Sequence, residues 1–169
     1  MKSRLHYFLA LLLASGCLNP PIYLIEPQIE FLSLSRNTVN QLDSVRVEFS
    51  FTDGDGDLGK ENPDSTDCNS CVFDSCYSTD WNLYLTDLRK GCFDRFMIPY
   101  IPSKGSSDAI SGKFNLVISG ICCLYSDNTG CVPNANVSLD TVLYSIQIKD
   151  RAGHLSNILD LPPVIVRCN

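Results

Sequence analysis

Val45-Arg46-Val47-Glu48-Phe49-Ser50-Phe51-Thr52 alternates apolar and polar side chains without a break. Successive side chains of a strand point to opposite faces, so this spacing predicts a β-strand that buries Val45, Val47, Phe49 and Phe51 and turns the other four to water. The pattern recurs at Val142, Tyr144, Ile146 and Ile148, where only Leu143 interrupts it, and more briefly at Trp81, Leu83, Leu85 and at Phe114, Leu116, Ile118. Ile29 to Leu34 and Val164 to Cys168 read as opening and closing strands, and helical periodicity is almost absent. Turn formers punctuate these runs at Asp53-Gly54-Asp55-Gly56, Lys90-Gly91, Ser119-Gly120 and Ala152-Gly153. The chain is therefore expected to be all-β, an antiparallel sandwich of about seven strands. Pro162-Pro163 points to an edge position for the last strand, because proline donates no ladder hydrogen bond.

Upstream of the domain, Met1 to His6 carries Lys2 and Arg4, and Tyr7 to Ala14 is an apolar run closed by Ser15-Gly16. That is the layout of a secretory signal, too short for a permanent span, which needs about 20 residues. Leu13-Ala14-Ser15-Gly16-Cys17 resembles the bacterial lipobox, although Ala14 stands where leucine is more usual. The resemblance implies cleavage after residue 16 and acylation of Cys17, with palmitate among the attached chains. The expected organisation is a signal peptide over 1–16, a lipidated cysteine and tether over 17–27, and one domain over 28–169. Pro20, Pro21 and Pro27 make the tether extended.

Charge and cysteine content bound the function. The 169 residues hold 13 basic and 19 acidic groups, a net charge of −6, which becomes −8 once Lys2 and Arg4 leave with the signal. An acidic chain lacks the clustered Lys and Arg that nucleic acid demands, so no nucleic-acid partner is expected. Of nine cysteines, lipidation of Cys17 leaves Cys68, Cys71, Cys76, Cys92, Cys122, Cys123, Cys131 and Cys168. An even number in an exported chain predicts four disulfides, although eight cysteines allow 105 pairings. Strand directions place Cys68, Cys71 and Cys76 at one end of the sandwich and the other five at the opposite end. Three and five cannot pair within their groups, so one bridge spans the ends or the long loop folds along the side. Neighbouring Cys122 and Cys123 are expected to take different partners.

Phe51-Thr52-Asp53-Gly54-Asp55-Gly56-Asp57-Leu58-Gly59 is the strongest chemical feature. Three carboxylates on alternate residues, separated by glycines, suit a tight loop that turns several oxygens to one centre. Calcium requires about six to eight oxygens. Asp53, Asp55 and Asp57 match the first, third and fifth positions of an EF-hand, but Leu58 replaces its glycine, Asp64 its glutamate, and a strand precedes it. In a seven-strand sandwich the loop Lys149 to Asn157 lies at the same end, which makes Asp150 a candidate fourth ligand. Alternatively the Asp-Gly pairs serve as turns, and Asp150 caps its hairpin or pairs with Arg151.

Three stretches carry a family resemblance: Phe51 to Gly59, Ile98-Pro99-Tyr100-Ile101-Pro102, and Ile148 to Asn157. In order and spacing they resemble uncharacterised lipoproteins exported by Bacteroidota. The resemblance implies an immunoglobulin-like sandwich at the cell envelope and brings no activity with it; the lipid anchor itself is expected in the outer membrane. Cys68 to Cys76 departs from that pattern. Asp140-Thr141-Val142-Leu143-Tyr144 also resembles the sixth strand of immunoglobulin-like domains, where a tyrosine hydroxyl bonds back to the preceding corner. Tyr144 as a plain core aromatic fits equally.

Other chemistry finds less support. Cys68-Asn69-Ser70-Cys71 has redox spacing, but Asp64, Asp67 and Asp74 around it oppose a reactive thiolate. His154 is the one histidine downstream of the signal and falls in a turn. Tyr77, Trp81, Tyr84 and Tyr100 are candidates for a glycan surface, with Trp81 expected in the core. Asp43-Ser44-Val45 and Asp140-Thr141-Val142 resemble short O-glycosylation sites of Bacteroidota. The expected function is binding or assembly with an envelope protein or glycan, without catalysis and with calcium as a stabilising cofactor. The alternative is an envelope thiol-disulfide exchanger or other enzyme.

Overall fold

The alternation that begins at Val45 forms β3 (Val45–Asp53), the longest buried strand, and its four apolar side chains are at most 4% exposed. A computed structural model describes residues 22–61, 69, 71–76, 79–102, 108–124, 131 and 138–168. Cys17, Cys68 and Tyr77 lie outside them. The remaining strands are β1 (Gln28–Leu34), β2 (Thr38–Asn40), β4 (Leu83–Asp87), β5 (Cys92–Phe96), β6 (Ile110–Ile118), β7 (Leu139–Val142), β8 (Tyr144–Ile148), β9 (Leu159–Asp160) and β10 (Val164–Arg167).

One layer has the order β1-β3-β6, and the other is built from β2-β10-β7 and β5-β4-β8-β9. Ten strands reduce to seven extended runs, because three of them are interrupted. Leu143 divides β7 from β8, residues 161–163 divide β9 from β10, and residues 35–37 divide β1 from β2 as the chain crosses between layers. The result is an all-β, immunoglobulin-like sandwich. Its core joins Val47, Phe49 and Phe51 of β3 to Leu83 and Leu85 of β4, Ile146 and Ile148 of β8, and Val164 and Val166 of β10. Each such side chain, removed from water, contributes about 1.5–3 kcal/mol before chain entropy is set against it.

Two expectations need correction. The last strand is central, since β10 pairs with β7 antiparallel and with β2 parallel. Pro162 and Pro163 occupy the break before it, where no ladder donor is needed. Trp81 is not on the core face of its strand; it packs with Cys76, Tyr84 and Phe93 in a second cluster on the other side of that sheet.

That second cluster explains the cysteine-rich loop. Tyr84 is 2% exposed, meets Phe93 edge-on at 5.3 Å, and donates its hydroxyl to the Trp81 carbonyl. Above it the buried Lys149 ammonium donates to the carbonyls of Thr79 (2.9 Å) and Cys76 (3.3 Å). The loop thus runs along the side of the sandwich, and the Cys71–Cys92 disulfide fastens it to the start of β5. This bridge joins the two cysteine groups that strand direction separates. Cys122–Cys131 and Cys123–Cys168 close the far end, so the adjacent cysteines do take different partners. Cys76 is disulfide-bonded as well.

Candidate cation site

Asp53 closes β3 opposite Ile110, and the chain then leaves the sheet into the acidic loop. Leu58, fully buried, pulls the loop back into the core, which is why a leucine stands where an EF-hand has glycine. Between these two fixed points the loop must turn sharply, and Gly56 takes φ 67° to do so. Asp53, Asp55 and Asp57 each bring one carboxylate oxygen to within 4.8 Å of the others.

Their surroundings differ. Asp53 is 0% exposed; its Oδ1 accepts from the Gly56 amide at 3.3 Å, while Oδ2 is buried without a hydrogen-bond partner. Asp57 Oδ2 accepts from the Ala152 amide at 2.9 Å, and its Oδ1 is also buried and unpartnered. Asp55 is exposed. Burial, the close approach of the Asp55 carboxyl and the charges of Asp55 and Asp57 push the Asp53 carboxyl up to about 7. Burial, then the charges of Asp150 and Asp55, raise Asp57. Among the described residues no lysine or arginine forms an ion pair with any of the three.

The neighbouring loop arrives as its position in the topology requires. Arg151 donates its amide to the Asp57 carbonyl at 3.2 Å and its guanidinium to the Gly59 carbonyl at 2.8 Å. Asp150 is close enough to raise Asp57, but both its oxygens serve the hairpin: Oδ1 accepts from the His154 amide at 2.7 Å, and Oδ2 lies 2.8 Å from His154 Nδ1. That hydrogen bond and charge raise the His154 pKa. The hairpin-capping alternative thus describes Asp150, and the structure groups three of the four candidate ligands.

The other candidate residues are dispersed. Ile98 to Pro102 joins the same end, through a bridge between Lys60 and Pro99, and Tyr100 lies 5.2 Å beneath the Arg151 guanidinium. Trp81 faces Arg95 at 5.3 Å and Tyr84 is buried, so these aromatics do not form one open surface. Tyr144 is 6% exposed in the core, and burial pushes its hydroxyl up to about 12. Asp140 is held by Arg89 at 2.6 Å beside exposed Thr141, and Ser44 is half-buried. The sequence missed the docking of the tether's end onto the acidic loop: the Gly54 amide donates to the Leu24 carbonyl at 2.7 Å. A Cβ at Gly54 would stand 2.5 Å from that carbonyl oxygen, so only glycine permits the approach. Compared with protein-family models and with curated proteins, the chain matches none.

Proposed function

We propose that the protein is a lipid-anchored module of the bacterial cell envelope that acts by binding: it holds or assembles with another envelope protein or a glycan. Cys17 carries the lipid, and the outer membrane is the site of anchorage. The observation that carries this reading is the set of disulfides at the ends and side of the sandwich, which belongs to an oxidising compartment and fixes the loops as a rigid surface. The tether fits it, because four residues lie between Cys17 and Ile22, and the five Cα steps reach at most about 18 Å. Labelling cells with a palmitate analogue tests the anchor: the label is expected on the native chain and absent from Cys17→Ser. In-cell cross-linking is expected to capture one recurring envelope partner. An unlabelled protein recovered from the soluble periplasm overturns the reading.

Thiol-disulfide exchange is favoured by one observation, the exposure of Cys71. Cys71 is bonded to Cys92 across a separation of 21 residues, however, so its bridge is not formed with Cys68 as a redox pair of that spacing would be. Disulfide reductase activity lost on Cys71→Ser would favour the exchanger.

A further inference from the structure

We propose that Asp53, Asp55 and Asp57 bind one calcium ion, and that the bound ion clamps the segment from Ile22 to Pro27 onto the acidic end of the sandwich. This goes beyond the envelope reading and does not depend on Cys17 being acylated. Carboxylates cluster on many surfaces, so their grouping alone means little. The second observation is decisive: Asp53 is 0% exposed and its Oδ2 is buried with no backbone or basic donor to meet it, and Oδ1 of the half-buried Asp57 is likewise buried and undonated. Buried acceptors are almost always satisfied, and a charged one left bare costs more than a neutral one. Two such oxygens beside a third carboxylate favour a bound positive charge: the charge of Arg151 acts on Asp57, but no lysine or arginine forms an ion pair with any of the three among the described residues.

The donor set selects the ion. All three ligands are carboxylate oxygens, which suits a hard cation, and the nearby His154 has turned Nδ1 to Asp150. Oxygens bound to one calcium at about 2.4 Å can stand up to about 4.8 Å apart, which the cluster satisfies. Exposed Asp55 leaves one side open to water, and calcium accepts that mixed, irregular shell more readily than magnesium does.

The clamp follows from what the loop touches. Gly54 binds the Leu24 carbonyl, Gly56 packs on the Asp108 backbone, and Asp57 binds Arg151 and Ala152. Pinning three consecutive alternate residues to one ion fixes the Gly54 amide between two of them, and with it the docked tether.

Calcium titration of the disulfide-intact mature chain tests both parts. Calcium is expected to raise Tm by about 5 °C or more over chelated protein. Magnesium at equal concentration is expected to do less, and Asp55→Asn, an exposed change, to abolish the response. Asp53→Asn is expected to abolish it as well. Chymotryptic cleavage after Tyr23 and Leu24 is expected to slow about tenfold in calcium, as is hydrogen exchange at Gly54. Unchanged melting with calcium, an equal response to magnesium, or a full response in Asp55→Asn overturns the site. Calcium binding with unchanged tether cleavage overturns the clamp.

Discussion

Removing the Cys123–Cys168 bridge should cost this protein more than removing Cys122–Cys131, although their first cysteines are neighbours in the chain. The bridges close separations of 45 and 9 residues. On the loop-entropy relation these correspond to about 4 and about 2.6 kcal/mol, a difference of about 1.4 kcal/mol. Burial widens it: Cys123 and Cys168 are 0% and 1% exposed and belong to the main core, whereas Cys131 is exposed. Replacing the two core sulfurs by hydrogen leaves vacancies worth about 0.8 kcal/mol each. The Cys123→Ala/Cys168→Ala double variant is therefore expected to lose about 5–6 kcal/mol, and Cys122→Ala/Cys131→Ala about 3 kcal/mol. Both cysteines of a pair must be changed, because a leftover thiol beside its neighbour would reshuffle. Urea denaturation followed by tryptophan fluorescence gives the comparison, and a midpoint lowered by about 2–3 M is expected for the core pair. Equal losses, or a larger loss for Cys122–Cys131, would refute the reasoning from loop length and burial.

Other perturbations probe the acidic end. Gly56→Ala drives a Cβ into the Asp108 backbone at positive φ and should lower Tm by about 5 °C or more by calorimetry, whereas Gly91→Ala, also at positive φ but in open space, should cost about 1 kcal/mol. Asn82, 5% exposed, accepts from the Ile98 amide and donates to the Ile98 carbonyl, so Asn82→Ala should cost about 2 kcal/mol in denaturant unfolding. Calcium-free protein should lose stability as pH rises from about 4 to about 7: folded Asp53 holds its proton to about 7 against 3.8, Asp57 shifts the same way, and the folded state binds more protons across that window. His154, raised by Asp150, adds stability that is full below 6.5 and lost as pH climbs through its folded value. Melting curves from pH 4 to 8 should slope downward, and Asp53→Asn should flatten them; an upward slope would contradict the assignment.

Where side-chain period and burial agree, the fold was legible. β3 buries the four residues its alternation names, and Leu143, the one interruption in the later run, is where β7 ends and β8 begins. β5 escaped notice because Cys92-Phe93-Asp94-Arg95-Phe96 offers one buried aromatic among charges. It is an edge strand, whose outward side chains need no apolar pattern. Trp81 was misplaced because period two was extended beyond the strand, which begins at Leu83. Cysteine pairing was illegible for a different reason, since it depends on the loop crossing the outer face of β4 and β8 over Tyr84. At the candidate site the alternation of aspartates was legible and the approach of the Lys149 to Asn157 loop followed from topology. Capping of the hairpin by Asp150 stood as one alternative, but its choice of His154 and the docking of Leu24 on Gly54 were not legible, because both rest on backbone geometry that no residue pattern encodes.

The parallel pairing of β2 with β10 has a mechanical consequence. Thr38, Val39 and Asn40 face Ile165, Val166 and Arg167, with both strands running away from the end where the tether enters. A domain held at its N-terminus and pulled at its far end loads these pairs together in shear, so they must fail at once rather than open one after another. Just beyond them the Cys123–Cys168 bridge ties the pulled strand back to the loop after β6. Under such a load the strand pairing and the bridge would resist together.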